Sequence, residues 1–304
     1  MGKRAWGARL IAAVLLLALG AGISVLAAAT EAQKVPLKME RQTGISVQAN
    51  QYAQVDLSNL AEGYVLVTWL GDSSAKLKVI IAKTGGTKYT YNLNAGGRTE
   101  VFPLTDGDGA YTVSVFKNIS GTKYAQSFSC SAELKLRNEF LPFLYANQYV
   151  NFTEKSSAVK KAAELTRASK TDLERVQKIY GYVIQTLTYD KALAKTVKSG
   201  YLPDLEQVMT RKKGICFDYA ALMTAMLRSC DIPCKLVIGY AGTAYHAWIN
   251  VYIEGKGWVD KLIYFDGEDW TLMDPTFASS LGQNSASLEK YLGDGKNYTE
   301  KYAY

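Results

Sequence analysis

Residues 35–137 alternate between hydrophobic and polar positions in short runs, and glycine-rich turns separate the runs. A period of two is typical of β-strands that bury one face, and short strands at regular spacing favour a β-sandwich. This region is therefore predicted to be a β-sandwich-like domain. Its strands are predicted at residues 64–70, 77–82, 89–93, 99–104, 111–116 and 124–136.

The pattern changes to a helical period after residues 138–155, an apolar stretch that we predict to be a linker packed between two domains. Apolar positions recur every three or four residues from Leu173 to Leu187, and Thr171 and Glu174 have the spacing of a capping box. Residues 156–304 are thus predicted to form a second domain, which makes the chain an α+β protein. Its helices are predicted at residues 156–168, 172–189, 205–212 and 216–229, and its strands at residues 234–240, 246–253, 258–261 and 270–273.

The N-terminus has the pattern of an export signal. Lys3, Arg4 and Arg9 precede an uncharged stretch, residues 10–29, that ends in three alanines. Residues 1–29 are predicted to be a signal peptide cleaved near the last of these alanines, so the protein is expected to be secreted or to lie at the extracellular surface. The same stretch is also long enough to span a bilayer as an uncleaved anchor, and membrane contact is expected only in that case.

Composition and charge exclude several classes of protein. Hydrophobic residues make up 48% of the chain, which is ordinary for a globular protein. The net charge of +7 comes from scattered basic residues, so no nucleic-acid partner is expected. The sequence contains no phosphate-binding loop, no dinucleotide fingerprint and no serine-hydrolase elbow.

The candidate chemistry centres on the single histidine of the chain, His246. Cys216 precedes this histidine and Asp274 follows it, in both cases by more than a local spacing. A cysteine nucleophile, a histidine base and a carboxylate that orients the base indicate thiolate acyl transfer. The three residues are therefore predicted to converge in the folded protein as a catalytic site.

The predicted secondary structure gives these residues suitable surroundings. Cys216 is predicted to open a helix, where unpaired backbone N–H groups stabilise a thiolate, and its own N–H is a natural oxyanion donor. Gly214 is expected to let the chain turn tightly and a substrate approach its backbone. On its strand His246 shares one face with Trp248 and Asn250, and we expect this to be the less buried face.

A zinc site is the chemical alternative, because Cys216, Cys230, Cys234 and His246 are all residue types that bind zinc. However, Cys216 and Cys230 would lie at opposite ends of one predicted helix, roughly 21 Å apart at about 1.5 Å per residue. That separation excludes both a shared metal and a disulfide between them. Cys230 and Cys234 either bridge each other or pack as free thiols. No metal and no cofactor are expected.

Five segments of the chain, in order, resemble the bacterial transglutaminase-like superfamily, whose members share a papain-like cysteine-enzyme core. The resemblance covers roughly a third of the chain and implies a domain of helices packed on an antiparallel sheet. It does not extend to the N-terminal β-domain. The matching segments are residues 187–190, 213–220, 232–240, 246–248 and 273–276.

The resemblance also implies roles for individual residues. It implies Cys216 as the nucleophile, His246 as the base and Asp274 as the residue that orients the base. Asp218 matches an acidic position that supports the site, and Trp248 belongs to the histidine motif.

The implied activity is attack on a peptide or glutamine-type amide of a protein or peptide substrate, through a thioester. We expect hydrolysis by a protease or amidase in preference to cross-linking. The alternative hypothesis is a non-catalytic binding module of the cell surface that uses this fold as a scaffold.

Overall fold

The N-terminal region, where hydrophobic and polar side chains alternate, is rich in β-strands, as predicted. In the computed structural model, which describes residues 37–259, 264–265, 270–271 and 298–304, this region contains two four-stranded antiparallel sheets. From edge to edge, the first sheet consists of β1 (Val47–Ala49), β2 (Ala53–Asp56), β3 (Tyr64–Trp69) and β6 (Glu100–Pro103). The second consists of β5 (Lys88–Leu93), β4 (Leu77–Lys83), β7 (Gly109–Ser120) and β8 (Lys123–Leu134).

The alternation of the sequence determines which side chains enter the core of this region. On β5, Tyr89, Tyr91 and Leu93 are buried while the residues between them are exposed, since successive side chains of a strand point to opposite faces. Most of the buried apolar residues of both sheets belong to one continuous hydrophobic core. The sequence pattern missed β1 and β2, because strands of three and four residues are too short to show a period.

Helices dominate the middle of the chain, and the predicted helix positions are confirmed. The elements are α1 (Ser157–Thr166), α2 (Asp172–Thr186), β9 (Thr188–Tyr189), α3 (Lys191–Thr196), α4 (Leu205–Arg211), β10 (Lys213–Gly214) and α5 (Cys216–Arg228). The two short strands β9 and β10 pair in parallel.

Helix α2 differs from the prediction at both ends. The Thr171 side chain accepts from the Glu174 amide as predicted, but the Glu174 carboxylate accepts from the Lys170 amide, one residue before the expected donor. At the other end the helix stops at Thr186, because the next residues pair with β10. This pairing brings two of the motif segments, residues 187–190 and 213–220, side by side.

An antiparallel sheet follows the helices, and α5 packs against its two central strands. The tail that the sequence left unassigned supplies the edge strand at its end. From edge to edge the sheet consists of β13 (Gly257–Val259), β12 (Ala244–Ile253), β11 (Cys234–Ala241) and β16 (Tyr298–Ala303). Two short strands, β14 (Tyr264–Phe265) and β15 (Trp270–Thr271), pair with each other.

Gly239 allows β16 to join the sheet. A β-bulge follows Ile238, and at Gly239 the backbone of β16 comes so close that a Cβ atom would lie 2.0 Å from the carbonyl oxygen of Thr299. It would also lie 2.7 Å from the ring of Trp248. Any side chain at this position would therefore displace the edge strand or the indole.

The buried cation Arg228 ties several elements together at the end of α5. Only 1% of this residue is exposed, and its guanidinium donates to backbone oxygens and to no side-chain carboxylate of the described residues. The Cys234 carbonyl accepts at 3.0 and 2.8 Å, and the backbone oxygens of Tyr145 and Tyr304 each accept at 2.6 Å. Burial lowers the pKa of Arg228 to about 10, so the side chain stays charged at neutral pH. Arg228 thus connects the end of α5 by hydrogen bonds to β11, to the linker and to the residue that follows β16.

The predicted signal peptide, residues 1–29, lies outside the described residues. Among the helices of the described residues, none has both the length and the apolar character needed to cross a bilayer. The predicted boundaries at residues 35–137, 138–155 and 156–304 stay predictions. Contacts nevertheless join these ranges, because the Tyr145 hydroxyl donates to Glu62 at 2.7 Å and the Thr105 hydroxyl donates to the Ala303 carbonyl at 2.8 Å.

Candidate active site

Cys216 is the first residue of α5, as the sequence predicts, and its side chain is half-buried. The helix begins here because the Asp218 carboxylate accepts from the amide of Ile215 at 2.7 Å. Ile215 has no polar side chain, so the reciprocal bond of a capping box cannot form. Cys216 is therefore placed at the N-terminal end of a helix of 13 residues, where backbone N–H groups have no partner within the helix.

Asp218 supports this helix start and does not line the cavity described below. It is fully buried, and its second carboxylate oxygen accepts from the Tyr201 hydroxyl at 2.7 Å. Burial raises the pKa of the Asp218 carboxyl, while the bonds from Tyr201 and Ile215 oppose the increase. One carboxyl group thus connects the start of α5 to the loop that precedes α4.

The structure gives a different reason for Gly214 from the one expected. This residue lies in β10 and is buried, and no positive φ angle requires glycine there. A Cβ atom at Gly214 would lie 2.6 Å from the Cβ atom of Asp218 and 2.9 Å from its Oδ2 atom. The position is glycine because any side chain would push the supporting carboxylate away from the helix start.

His246 lies on β12 and is paired in register with Gly239 of β11. Its face of the strand is the less buried one by only a few per cent, and both faces are buried. His246, Trp248 and Asn250 are 7%, 1% and 2% exposed, and the three residues of the apolar face are 0–4% exposed. On the face of His246, the ring of Tyr298 from β16 packs edge-on against Trp248 at 5.2 Å.

Cys216 and His246 open into the same cavity, which has a volume of about 510 Å³. Tyr245 lines it as well, and burial raises the pKa of its hydroxyl. Asp274 lies outside the described residues, so its role stays a prediction. The structure therefore brings the predicted nucleophile and the predicted base to one cavity.

Sequence reasoning missed most of the walls of this cavity. Lys78, Thr90 and Asn92 come from the strand-rich region, more than a hundred residues before the cysteine. No local motif identifies these three residues. For the aromatic part of the wall, the one indication in the sequence is its high tyrosine content, with 21 tyrosines. The aromatic residues of the wall are Tyr149, Tyr189, Tyr201, Phe217, Tyr245, Tyr302 and Tyr304.

The other three cysteines have surroundings that suppress reactivity. All four are free thiols in the structure, which leaves the possible bridge between Cys230 and Cys234 unformed. Burial raises the pKa of Cys130 to about 11, that of Cys234 to about 12 and also that of Cys230. These groups are therefore neutral thiols at neutral pH and poor nucleophiles.

We expect iodoacetamide to alkylate Cys216 before any other thiol of the native protein at pH 7. The reason is that Cys216 alone among the four lines the cavity, whereas burial raises the pKa of the other three thiols and makes them poorer nucleophiles. Peptide mapping by mass spectrometry after short exposures measures the order of modification. Unfolded protein, in which all four should react alike, is the control. Equal labelling of Cys230 and Cys216 in the native protein would contradict the expectation.

Comparison with known proteins places the helix-and-sheet region in the class of papain-like cysteine-enzyme folds. Residues 159–261 match the family model described as the transglutaminase-like superfamily, and this part of the chain belongs to that superfamily. The chain is 30% identical over 161 residues to human kyphoscoliosis peptidase and 28% identical over 153 residues to the mouse protein. These matches cover 49% and 46% of this chain but only 22% and 21% of the relatives, so the chain spans about a fifth of their length.

The fold is also similar to that of a candidate cysteine protease from Cytophaga hutchinsonii with a known crystal structure. The superposition has a TM-score of 0.39 at 15% identity, over 80% of this chain and 79% of the other.

Proposed function

We propose that this protein is an exported cysteine enzyme that acts on peptide or glutamine-type amides through a thioester intermediate. The observation that carries the proposal is the shared cavity of Cys216 and His246. A thiol at a helix start and an imidazole on the neighbouring strand are the two groups that thiolate acyl transfer requires. The export signal that the sequence predicts at residues 1–29 supports the proposed extracellular location.

The first half of the reaction forms the thioester. The Cys216 thiolate attacks the amide carbonyl carbon, and the electron pair of the C=O bond moves to the oxygen. The backbone N–H of Cys216 is the proposed donor to this oxyanion. When the oxyanion collapses, the C–N bond breaks and the protonated His246 gives its proton to the departing amine. In this scheme Asp274 accepts a hydrogen bond from the other ring nitrogen and holds the imidazole in one orientation.

The second half releases the acyl group. Neutral His246 accepts a proton from water, the resulting hydroxide attacks the thioester, and the thiolate leaves with the bonding pair. A primary amine in place of water would give a cross-link. Hydrolysis is favoured because exposed side chains such as Lys198 and Tyr245 line the cavity, so water reaches the sulfur. The description of the human relative as a peptidase agrees with this preference.

A product analysis tests the proposal. The protein is incubated with glutamine-containing peptides, with and without a fluorescent primary amine, and mass spectrometry identifies the products. We expect the free acid or the cleaved peptide as the main product even when the amine is present. A dominant amine adduct would assign the protein to the cross-linking enzymes. Binding of peptides with neither product would favour the non-catalytic binding module.

A further inference from the structure

We propose that Lys78 and Lys198 form a subsite that selects substrates with an acidic side chain close to the amide that Cys216 attacks. This inference rests on the proposed function and specifies its substrate class. It also assigns a role to the strand-rich region, which supplies the first of the two lysines.

Lys78 is held on the outer face of the strand-rich region. It lies on β4 directly opposite Asn92 of β5, so both side chains share one face of that sheet. The Lys78 ammonium donates to the Asn92 side-chain oxygen at 2.5 Å, and both residues line the cavity. An ammonium group has three N–H donors, so two remain for a substrate carboxylate.

Lys198 reaches the same cavity from the loop between α3 and α4. This loop touches the strand-rich region, because a Cβ atom on Gly200 would lie 2.9 Å from the Asn92 side-chain nitrogen. The loop is also attached to the helix start, through the hydrogen bond from Tyr201 to Asp218. Asn92 therefore contacts both Lys78 and the loop that carries Lys198, and that loop is connected to the helix that begins with Cys216.

The charge of the cavity indicates what this subsite binds. Apart from the proposed catalytic pair Cys216 and His246, the only described lining residues whose side chains are charged at neutral pH are Lys78 and Lys198, and both charges are positive. Aromatic rings form much of the remaining wall, and a wall of low polarity strengthens the attraction between a cation and an anion. A volume of about 510 Å³ admits a short peptide segment that includes the reacting amide and one neighbouring side chain. An aspartate or glutamate near the cleaved bond meets these conditions.

The kinetic test compares peptides that differ only in one residue next to the reacting amide: glutamate, glutamine or lysine. We expect the wild-type protein to show a kcat/KM about five- to tenfold higher for the glutamate peptide than for the glutamine peptide. The Lys78→Gln variant should lose most of this preference, and Lys78→Glu should favour the lysine peptide. The matched control is Lys88→Gln, on the exposed face of β5 but outside the cavity, which should keep the preference.

A binding measurement separates failure of the subsite from failure of the proposed function. Fluorescence anisotropy with the Cys216→Ala protein reports peptide affinity without turnover. Tighter binding of the glutamate peptide, lost in the Cys216→Ala, Lys78→Gln double variant, would support the subsite even if no peptide were cleaved. Equal affinity and equal turnover of the glutamate and glutamine peptides would overturn the inference and leave the proposed function intact. A preference that persists in Lys78→Gln would also overturn it.

Discussion

Replacement of Cys216 by alanine is expected to lower kcat/KM for amide cleavage by about 10⁴-fold or more. The thiol is the atom that bonds to the acyl group, and no other cysteine lines the cavity within the described residues. Without it water must attack the amide directly, and only binding and the oxyanion donor remain to assist. The measurement is steady-state hydrolysis of the best peptide from the product analysis, with circular dichroism to verify that the variant is folded.

Cys130→Ala is the matched control for this experiment. Cys130 lies on β8, is 6% exposed and does not line the cavity. Its loss should cost stability of about 1 kcal/mol and leave kcat/KM within about twofold of the wild-type value. Retention of full activity by the Cys216→Ala protein would refute the cysteine mechanism. Loss of activity in both variants, with the fold intact, would also count against it.

Replacement of Arg228 by methionine is expected to lower the free energy of unfolding by about 3–5 kcal/mol, a large fraction of the stability of an ordinary protein. Methionine fills a similar volume but donates no hydrogen bond. Three backbone oxygens, those of Cys234, Tyr145 and Tyr304, would lose a donor in a buried place. Each such loss costs about 1 kcal/mol or more.

Urea denaturation at pH 7 measures the effect. Arg167→Met is the control, because Arg167 is exposed at the end of α1, and its loss should change stability by less than about 0.5 kcal/mol. Arg228→Lys should be intermediate, since lysine keeps the charge but cannot reach three backbone oxygens with a planar group. If the methionine variant does not fold, the lysine variant still tests the claim. Wild-type stability in Arg228→Lys would contradict it.

The elements around Cys216 and His246 were predictable because their signals are local. The helix from Cys216 follows from Gly214 and the apolar period behind it, and the strand of His246 follows from alternation. The capping carboxylate Asp218 is also a local feature, because it reaches back only three residues to Ile215. Family resemblance pointed to the same positions, and the family match at residues 159–261 confirms the superfamily.

Burial and cavity walls were not predictable in the same way. His246 was expected on an open face of its strand, yet that face is buried, and Tyr298 of β16 packs against Trp248 on it. That strand comes from a tail whose pattern predicted no element. Lys78 and Asn92 reach the cavity because β4 and β5 lie against the loop around Gly200. Nothing in the residues near position 78 indicates that contact, since it depends on how two distant regions pack.

The sequence by itself determined the order of strands and helices, the α+β class and the types of residue available for chemistry, because these depend on periodicity and side-chain identity over a few neighbouring positions. Only the tertiary structure decided that Cys216 and His246 share a cavity, that the strand-rich region supplies one wall of it, and that Arg228 connects the end of α5 to the last strand. These features arise from long-range packing, in which residues far apart in the chain bury surface against each other and satisfy each other's hydrogen bonds.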